Sequence, residues 1–147
     1  MAQLASGKYH LRYEGQGFGG LYATAEGYGQ PLKVEPQTPP FVDRQTWELV
    51  ARGEISEILF VSHSGRIEGG LQGPGPQGPI TLGDPSPVRV QKAKEDERLY
   101  TISFDQGEVG SIWYVGVNRE TRELEVVPIP VIPNPEPAPK WSLVKLD

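Results

Sequence analysis

The 18 glycines and 15 prolines of this 147-residue chain are spread from Gly7 to Pro139 instead of being gathered in one tail. Glycine opens turn conformations closed to other residues and proline removes a backbone donor, so together they cut a chain into short elements. Punctuation of this kind favours an all-β fold of short strands. No cysteine is present. A disulfide framework, a thiolate metal site and a cysteine nucleophile are therefore excluded, and stability must come from packing and sheet closure.

Between the breaks the apolar residues keep a period of two. Tyr9, Leu11 and Tyr13 alternate with Lys8, His10 and Arg12, the pattern of a half-buried strand over residues 8–13. Short strands are expected next at 21–26 and 32–35, followed by an extended loop through Pro36-Gln37-Thr38-Pro39-Pro40-Phe41. Nine more are expected at 46–51, 57–62, 66–71, 80–82, 88–91, 100–104, 113–117, 124–127 and 141–146. Turns fall at Ser64-Gly65 and Gly83-Asp84-Pro85, residues 73–79 are too rich in Gly and Pro for anything but a loop, and the charged run 94–98 is a solvated connection. Helical periodicity never persists for a helix length.

A weak threefold repeat underlies these strands. Gly7-Lys8-Tyr9-His10-Leu11, Glu57-Ile58-Leu59-Phe60-Val61 and Leu99-Tyr100-Thr101-Ile102-Ser103 can each open a four-strand unit of roughly 45 residues. The units close at Trp47-Glu48-Leu49, Val88-Arg89-Val90 and Trp141-Ser142-Leu143. One unit alone would leave an apolar face and unpaired strand edges in water, so three must close a barrel together. The expectation is one β-trefoil domain over residues 1–147, about twelve strands in three pseudo-repeats, with Trp47, Trp113 and Trp141 serving its core.

Charge and motifs narrow the function. A formal net charge of -5 and a pI near 5.1 oppose nucleic-acid binding, which needs clustered Lys and Arg. The longest apolar stretch, 126–132, is broken by Pro128 and Pro130 and falls short of the roughly 20 residues of a membrane helix, so no membrane partner is expected. The opening residues 1–7 lack the basic and apolar regions of a secretory signal, which points to a cytoplasmic protein, releasable only by a route that needs no signal. His10 and His63 stand in no Gly-x-Ser-x-Gly elbow and no His-Glu-x-x-His motif, and Ser62-His63-Ser64 is adjacency in sequence without converging roles. No enzyme activity is expected. Asp43, Asp84 and Asp105 lack the dense oxygen pattern of a calcium loop and are turn residues, so neither metal nor cofactor is implied.

Four segments resemble the mycocypin family, the clitocypins and macrocypins, which are fungal cysteine-protease inhibitors. They are Gly19-Gly20-Leu21-Tyr22-Ala23-Thr24; Pro36-Gln37-Thr38-Pro39-Pro40-Phe41 with Arg44-Gln45-Thr46-Trp47; Pro79-Ile80 with Gly83-Asp84-Pro85; and Pro130-Val131-Ile132-Pro133-Asn134. Their order and spacing cover nearly the whole chain, and the first two are the more specific. The resemblance implies a disulfide-free β-trefoil that works as a monomer. It further implies that the loops after the first and third strands enter the active-site cleft of papain-like cysteine proteases. Those loops hold Phe18, Gly19 and Gly20, and Pro39, Pro40 and Phe41. Glycine permits close backbone approach, proline lowers the entropy lost on binding, and Phe18 and Phe41 are candidate apolar anchors. Without the family, Gly19-Gly20 is simply a turn, and Phe41 equally a lid on the barrel.

In the same family the loop after the fifth strand presents an Asn to legumain in some members and a basic residue to trypsin in others. Here that loop is His63-Ser64-Gly65-Arg66-Ile67-Glu68-Gly69. It holds no Asn, which disfavours legumain, while Arg66 suits the acidic primary pocket of a trypsin-like serine protease. Its rival reading is a solvated surface arginine. As the two protease classes would be met by different loops, mutations in one are expected to leave the other untouched. A different class of function, carbohydrate binding, is raised by Gln45-Thr46-Trp47, which matches the Gln-x-Trp signature of ricin-type lectin trefoils. That signature normally repeats, and here Trp113 follows Ser111-Ile112 and Trp141 follows Pro139-Lys140.

Overall fold

The computed structural model describes residues 4–15, 20–74, 78–94, 96, 98–105 and 109–146. Its strands are β1 (Gly7–Tyr13), β2 (Leu21–Thr24), β3 (Lys33–Pro36), β4 (Trp47–Arg52), β5 (Ile55–Val61), β6 (Ile67–Gln72), β7 (Thr81–Gly83), β8 (Val88–Lys92), β9 (Tyr100–Phe104), β10 (Ser111–Val117), β11 (Leu124–Pro130) and β12 (Trp141–Lys145). Six of them form a closed antiparallel ring: β1 pairs β4, β4 pairs β5, β5 pairs β8, β8 pairs β9, β9 pairs β12, and β12 returns to β1. Closure removes the edges that each sequence repeat would expose alone. The other six form three hairpins, β2-β3 on β1, β6-β7 on β5 and β10-β11 on β9. This is a β-trefoil-like arrangement.

The threefold repeat is written into the backbone hydrogen bonds. Leu32 N donates to Ile80 O at 2.9 Å, Ile80 N to Leu124 O at 2.8 Å, and Leu124 N to Leu32 O at 2.8 Å, a closed cycle through equivalent points of the three hairpins. All three side chains are buried, so these amides have no water to fall back on and must pair with one another. A second set of equivalents ties neighbouring loops: Val61 N to Thr46 O, Asp105 N to Pro87 O and Glu14 N to Lys140 O, each at 2.9–3.0 Å.

Alternation fills the barrel. Tyr9 and Leu11 from β1, Trp47 and Leu49 from β4, and Ile58 and Phe60 from β5 point into one cluster with Val88, Ile102 and Trp141. Burying an indole requires a partner for its N–H. Trp47 Nε1 donates to Ala23 O at 3.0 Å and Trp141 Nε1 to Val115 O at 2.9 Å, while the second repeat places the buried Val88 at the start of its closing strand. Trp113 is half-buried and packs on the core from β10.

Two expectations differ from the structure. The strand expected to stop at 127 continues to Pro130 as β11. Beyond Glu125, which also bridges Pro79, its strand partner among the described residues is β10, so this end forms an edge, where a missing proline N–H costs no ladder bond. The loop expected to be extended through Phe41 contains a 3-10 turn, Phe41–Arg44, because Phe41 N and Val42 N both return to Thr38 O at 2.8 and 3.0 Å.

Candidate functional site

The β3–β4 loop carries the chain from the β2–β3 hairpin back into the barrel. Gln45 shapes the β3–β4 loop. It is completely buried, and its Nε2 lies 3.0 Å from Thr24 Oγ1, 3.2 Å from Glu35 O and 3.0 Å from Pro36 O. Thr24 Oγ1 gives its own proton to Tyr22 O, so it accepts from the amide. One side chain thus ties the returning end of the loop to its departing end. Ala25 N adds a bond to Arg44 O at 3.0 Å. Gln37 at the loop's start donates from Nε2 to His10 Nδ1 on β1 at 2.8 Å. This assigns the acceptor nitrogen of a neutral imidazole, in keeping with burial pushing the His10 pKa below the ordinary histidine value.

Held in this way, the loop presents Gln37, Thr38, Pro39 and Pro40 to solvent, with the Pro39–Pro40 peptide cis. Phe41 is half-buried and opens the 3-10 turn. Of the β1–β2 loop, Phe18 and Gly19 lie outside the described residues. Gly20 has φ +79 and an ideal Cβ there would touch nothing within 4 Å. The backbone conformation, not lack of room, is what calls for glycine.

The β5–β6 loop is built differently. Ser62 N donates to Arg66 O at 2.8 Å, Gly65 N to Ser62 O at 2.8 Å, and Arg66 N to Ser62 Oγ at 3.3 Å, with Gly65 at φ +88. Every side chain from His63 to Glu68 is exposed. Arg66 makes no ion pair among the described residues. His63 Nδ1 stands 3.5 Å from Asp43 Oδ1, joining this loop to the 3-10 turn of the β3–β4 loop. The two loops are therefore neighbours, which sequence separation concealed.

The remaining sequence candidates resolve into structural roles. Gln45 and Trp47 are both interior, so the Gln-x-Trp match is a loop staple plus a core indole and offers no sugar-stacking face. Ser62 Oγ engages Ser64 Oγ and Arg66 N, and the His63–Asp43 contact is fully in solvent, so no nucleophile, base and orienter converge. Asp43 faces His63, Asp84 Oδ1 accepts from Tyr28 Oη at 3.2 Å, and Asp105 pairs with Arg89 at 2.8 Å. Among the described residues no group of three or more His, Asp or Glu side chains could hold a metal ion. In the charged run, Arg98 grips Asp96 and holds its carboxyl at about 2.

Sequence reasoning missed Gln45 as an anchor, the Gln37–His10 clamp and the Asp43–His63 contact. The first was legible in part, since a Gln flanked by a predicted loop and a tryptophan strand has somewhere to be buried. The other two join residues at least 20 positions apart and carry no local pattern.

Comparison with known proteins places the chain in a family. The family model described as peptidase inhibitor clitocypin matches residues 7–143. Clitocypin-5 of Clitocybe nebularis is 32% identical over 137 residues, an alignment covering 88% of this chain and 90% of that protein. Clitocypin-2 of the same fungus is 32% identical over 138 residues with the same coverage, and Clitocypin is 30% identical over 117 residues, covering 77% of each chain. The matched family is described as one of inhibitors and not of enzymes, as the motif content led one to expect.

Proposed function

We propose that this chain, which belongs to the clitocypin family of peptidase inhibitors, inhibits papain-like cysteine proteases by placing its β1–β2 and β3–β4 loops in the active-site cleft. The observation that carries this reading is the construction of the β3–β4 loop. A buried Gln45 and the Gln37–His10 bond hold both its ends, while Pro39 and Pro40 project into solvent between them. An inhibitor must occupy a cleft without being cut or reshaped, and a loop already fixed in place loses little entropy on docking. Gly20 lets the β1–β2 backbone turn beside it, and the proposed contact set is Phe18, Gly19, Gly20, Pro39, Pro40 and Phe41. The chain acts as a monomer, with a rigid barrel as carrier.

The β5–β6 loop supports a second activity. Arg66 is the exposed basic residue at the end of a tight turn, the presentation that the acidic primary pocket of a trypsin-like protease accepts. Legumain is not a proposed target, as the loop offers no Asn.

Titration of the purified chain against papain, trypsin and legumain in parallel tests both readings. Papain inhibition should fall at least tenfold with Gly20→Val, and trypsin inhibition should vanish with Arg66→Ala. Full papain inhibition by a folded Gly20→Val variant would remove the β1–β2 loop from the contact. Trypsin inhibition that survives Arg66→Ala would remove that residue from the primary pocket.

A further inference from the structure

On the third repeat, away from Arg66 and the β3–β4 loop, the chain forms an open groove of about 880 Å³ between the end of β8, the β10–β11 hairpin and the proline-rich segment leading into β12. Its apolar wall includes Ile112, Ile129, Val131 and Ile132, backed by Pro135 and Pro137. Seven large hydrophobic side chains are exposed among the described residues, and Ile112, Val131 and Ile132 are three of them. One such residue is ordinary on a surface, whereas three lining one hollow make a site candidate.

The second observation is charge. The chain carries -5 overall, yet among the described residues this groove is lined by Lys92, Lys94 and Lys140 against a single carboxylate, Glu136. Lys140 Nζ donates to Ala138 O at 3.0 Å. Lys92 and Lys94 are exposed and pair with no carboxylate among the described residues. Lys92 is held at the end of β8, opposite Tyr100 of β9, and Lys94 follows two residues later on the same rim. Apolar walls with cations at one side complement a ligand that is apolar along its body and anionic at its head. The volume lies within the range of roughly 300–1,000 Å³ usual for small-molecule sites.

We propose that this groove binds an amphiphilic carboxylate, an acyl chain lying along Ile112, Ile129, Val131 and Ile132 with its head group between Lys92 and Lys94. None of the groove's lining residues belongs to the proposed contact set of the inhibitory loops, so its binding is tested on the free chain. The wall formed by Ile112 and Ile129 is preformed, because β10 and β11 are paired along their full length from Ser111↔Pro130 to Val117↔Leu124. The open side limits how much of the acyl chain leaves water, so a dissociation constant of roughly micromolar or above is expected.

Calorimetric titration with decanoate below its micellar concentration, compared with decyltrimethylammonium of the same chain length, tests the proposal on the full chain. Saturable one-to-one binding of decanoate is expected, at least tenfold tighter than the cation. The double variant Lys92→Glu/Lys94→Glu should lose at least tenfold in decanoate affinity, and Ile112→Asp should abolish binding. Both changes are on exposed side chains, and circular dichroism checks that the fold survives. Equal binding of the two amphiphiles, wild-type affinity in the lysine double variant, or no saturable binding of decanoate would each overturn the proposal. So would amide shift changes in NMR spectra confined to a surface other than Ile112, Val131 and Ile132.

Discussion

The β3–β4 and β5–β6 loops stand side by side at the same end of the barrel, yet they are held by opposite means. The first is stapled from inside, since Gln45 belongs to the core as much as to the loop. The second is held at its own base by Ser62 and has no tie to the core among the described residues, meeting the first through the exposed His63–Asp43 pair, with every residue from His63 to Glu68 in solvent. A loop tied to the core resists change because its shape and the protein's stability share the same bonds. A loop tied only to itself can exchange its tip residues at little cost to the fold. That difference leaves one loop fixed in shape and the other free to vary at its tip.

Breaking the staple should have the largest effect. Gln45→Ala removes an amide whose two protons are shared among the Thr24 hydroxyl and the part-buried carbonyls of Glu35 and Pro36, and unfolding in urea should show a loss of about 2–3 kcal/mol. Papain inhibition should fall with it, as the loop ends separate. Next is Gly20→Ala, where a Cβ fits the space but not the left-handed backbone, for an expected loss of about 1 kcal/mol in the same assay.

A pH-dependent effect sharpens the contrast further. Burial holds the His10 imidazole below its ordinary range in the folded chain, so the folded state takes up this proton less readily than the unfolded state. Its stabilising contribution is complete above the unfolded value of about 6.5 and is lost as pH falls through that value toward the lower folded one. The Gln37–His10 bond weakens over the same window. The melting temperature should therefore drop more between pH 7.5 and 5 in the wild type than in His10→Gln. An equal drop in both would show that His10 plays no part in the clamp.

The smallest stability effect belongs to the β5–β6 tip. Arg66→Ala should change the free energy of unfolding by no more than about 0.5 kcal/mol while removing trypsin inhibition. Independence of the two loops is bounded by the Asp43–His63 contact. A double-mutant cycle on that exposed pair should give a coupling of about 0–1 kcal/mol, decreasing with added salt.

The fold was largely legible in the sequence, because alternation and turn residues are local signals and the three repeats each carry them. Gly7 to Leu11, Glu57 to Val61 and Tyr100 to Ser103 lie on the equivalent strands β1, β5 and β9. Pro128 and Pro130 hid the length of β11, since a proline counts against a strand unless that strand is known to be an edge. The site was legible as loops and not as chemistry. Pro39, Pro40 and Arg66 could be marked from the segments around them, but what fixes those loops is Gln45 reaching Thr24, Glu35 and Pro36, and His10 reaching Gln37. These contacts are made by the closing of the barrel, and nothing in the neighbouring residues announces them.

The most direct test of the central claim is binding to papain whose cleft has been filled beforehand by an irreversible peptidyl inhibitor, measured beside binding to the free enzyme. The loop-in-cleft account predicts tight binding to free papain and loss of at least a hundredfold with the filled cleft. Equal binding to both forms would place the contact elsewhere on the protease and contradict the account.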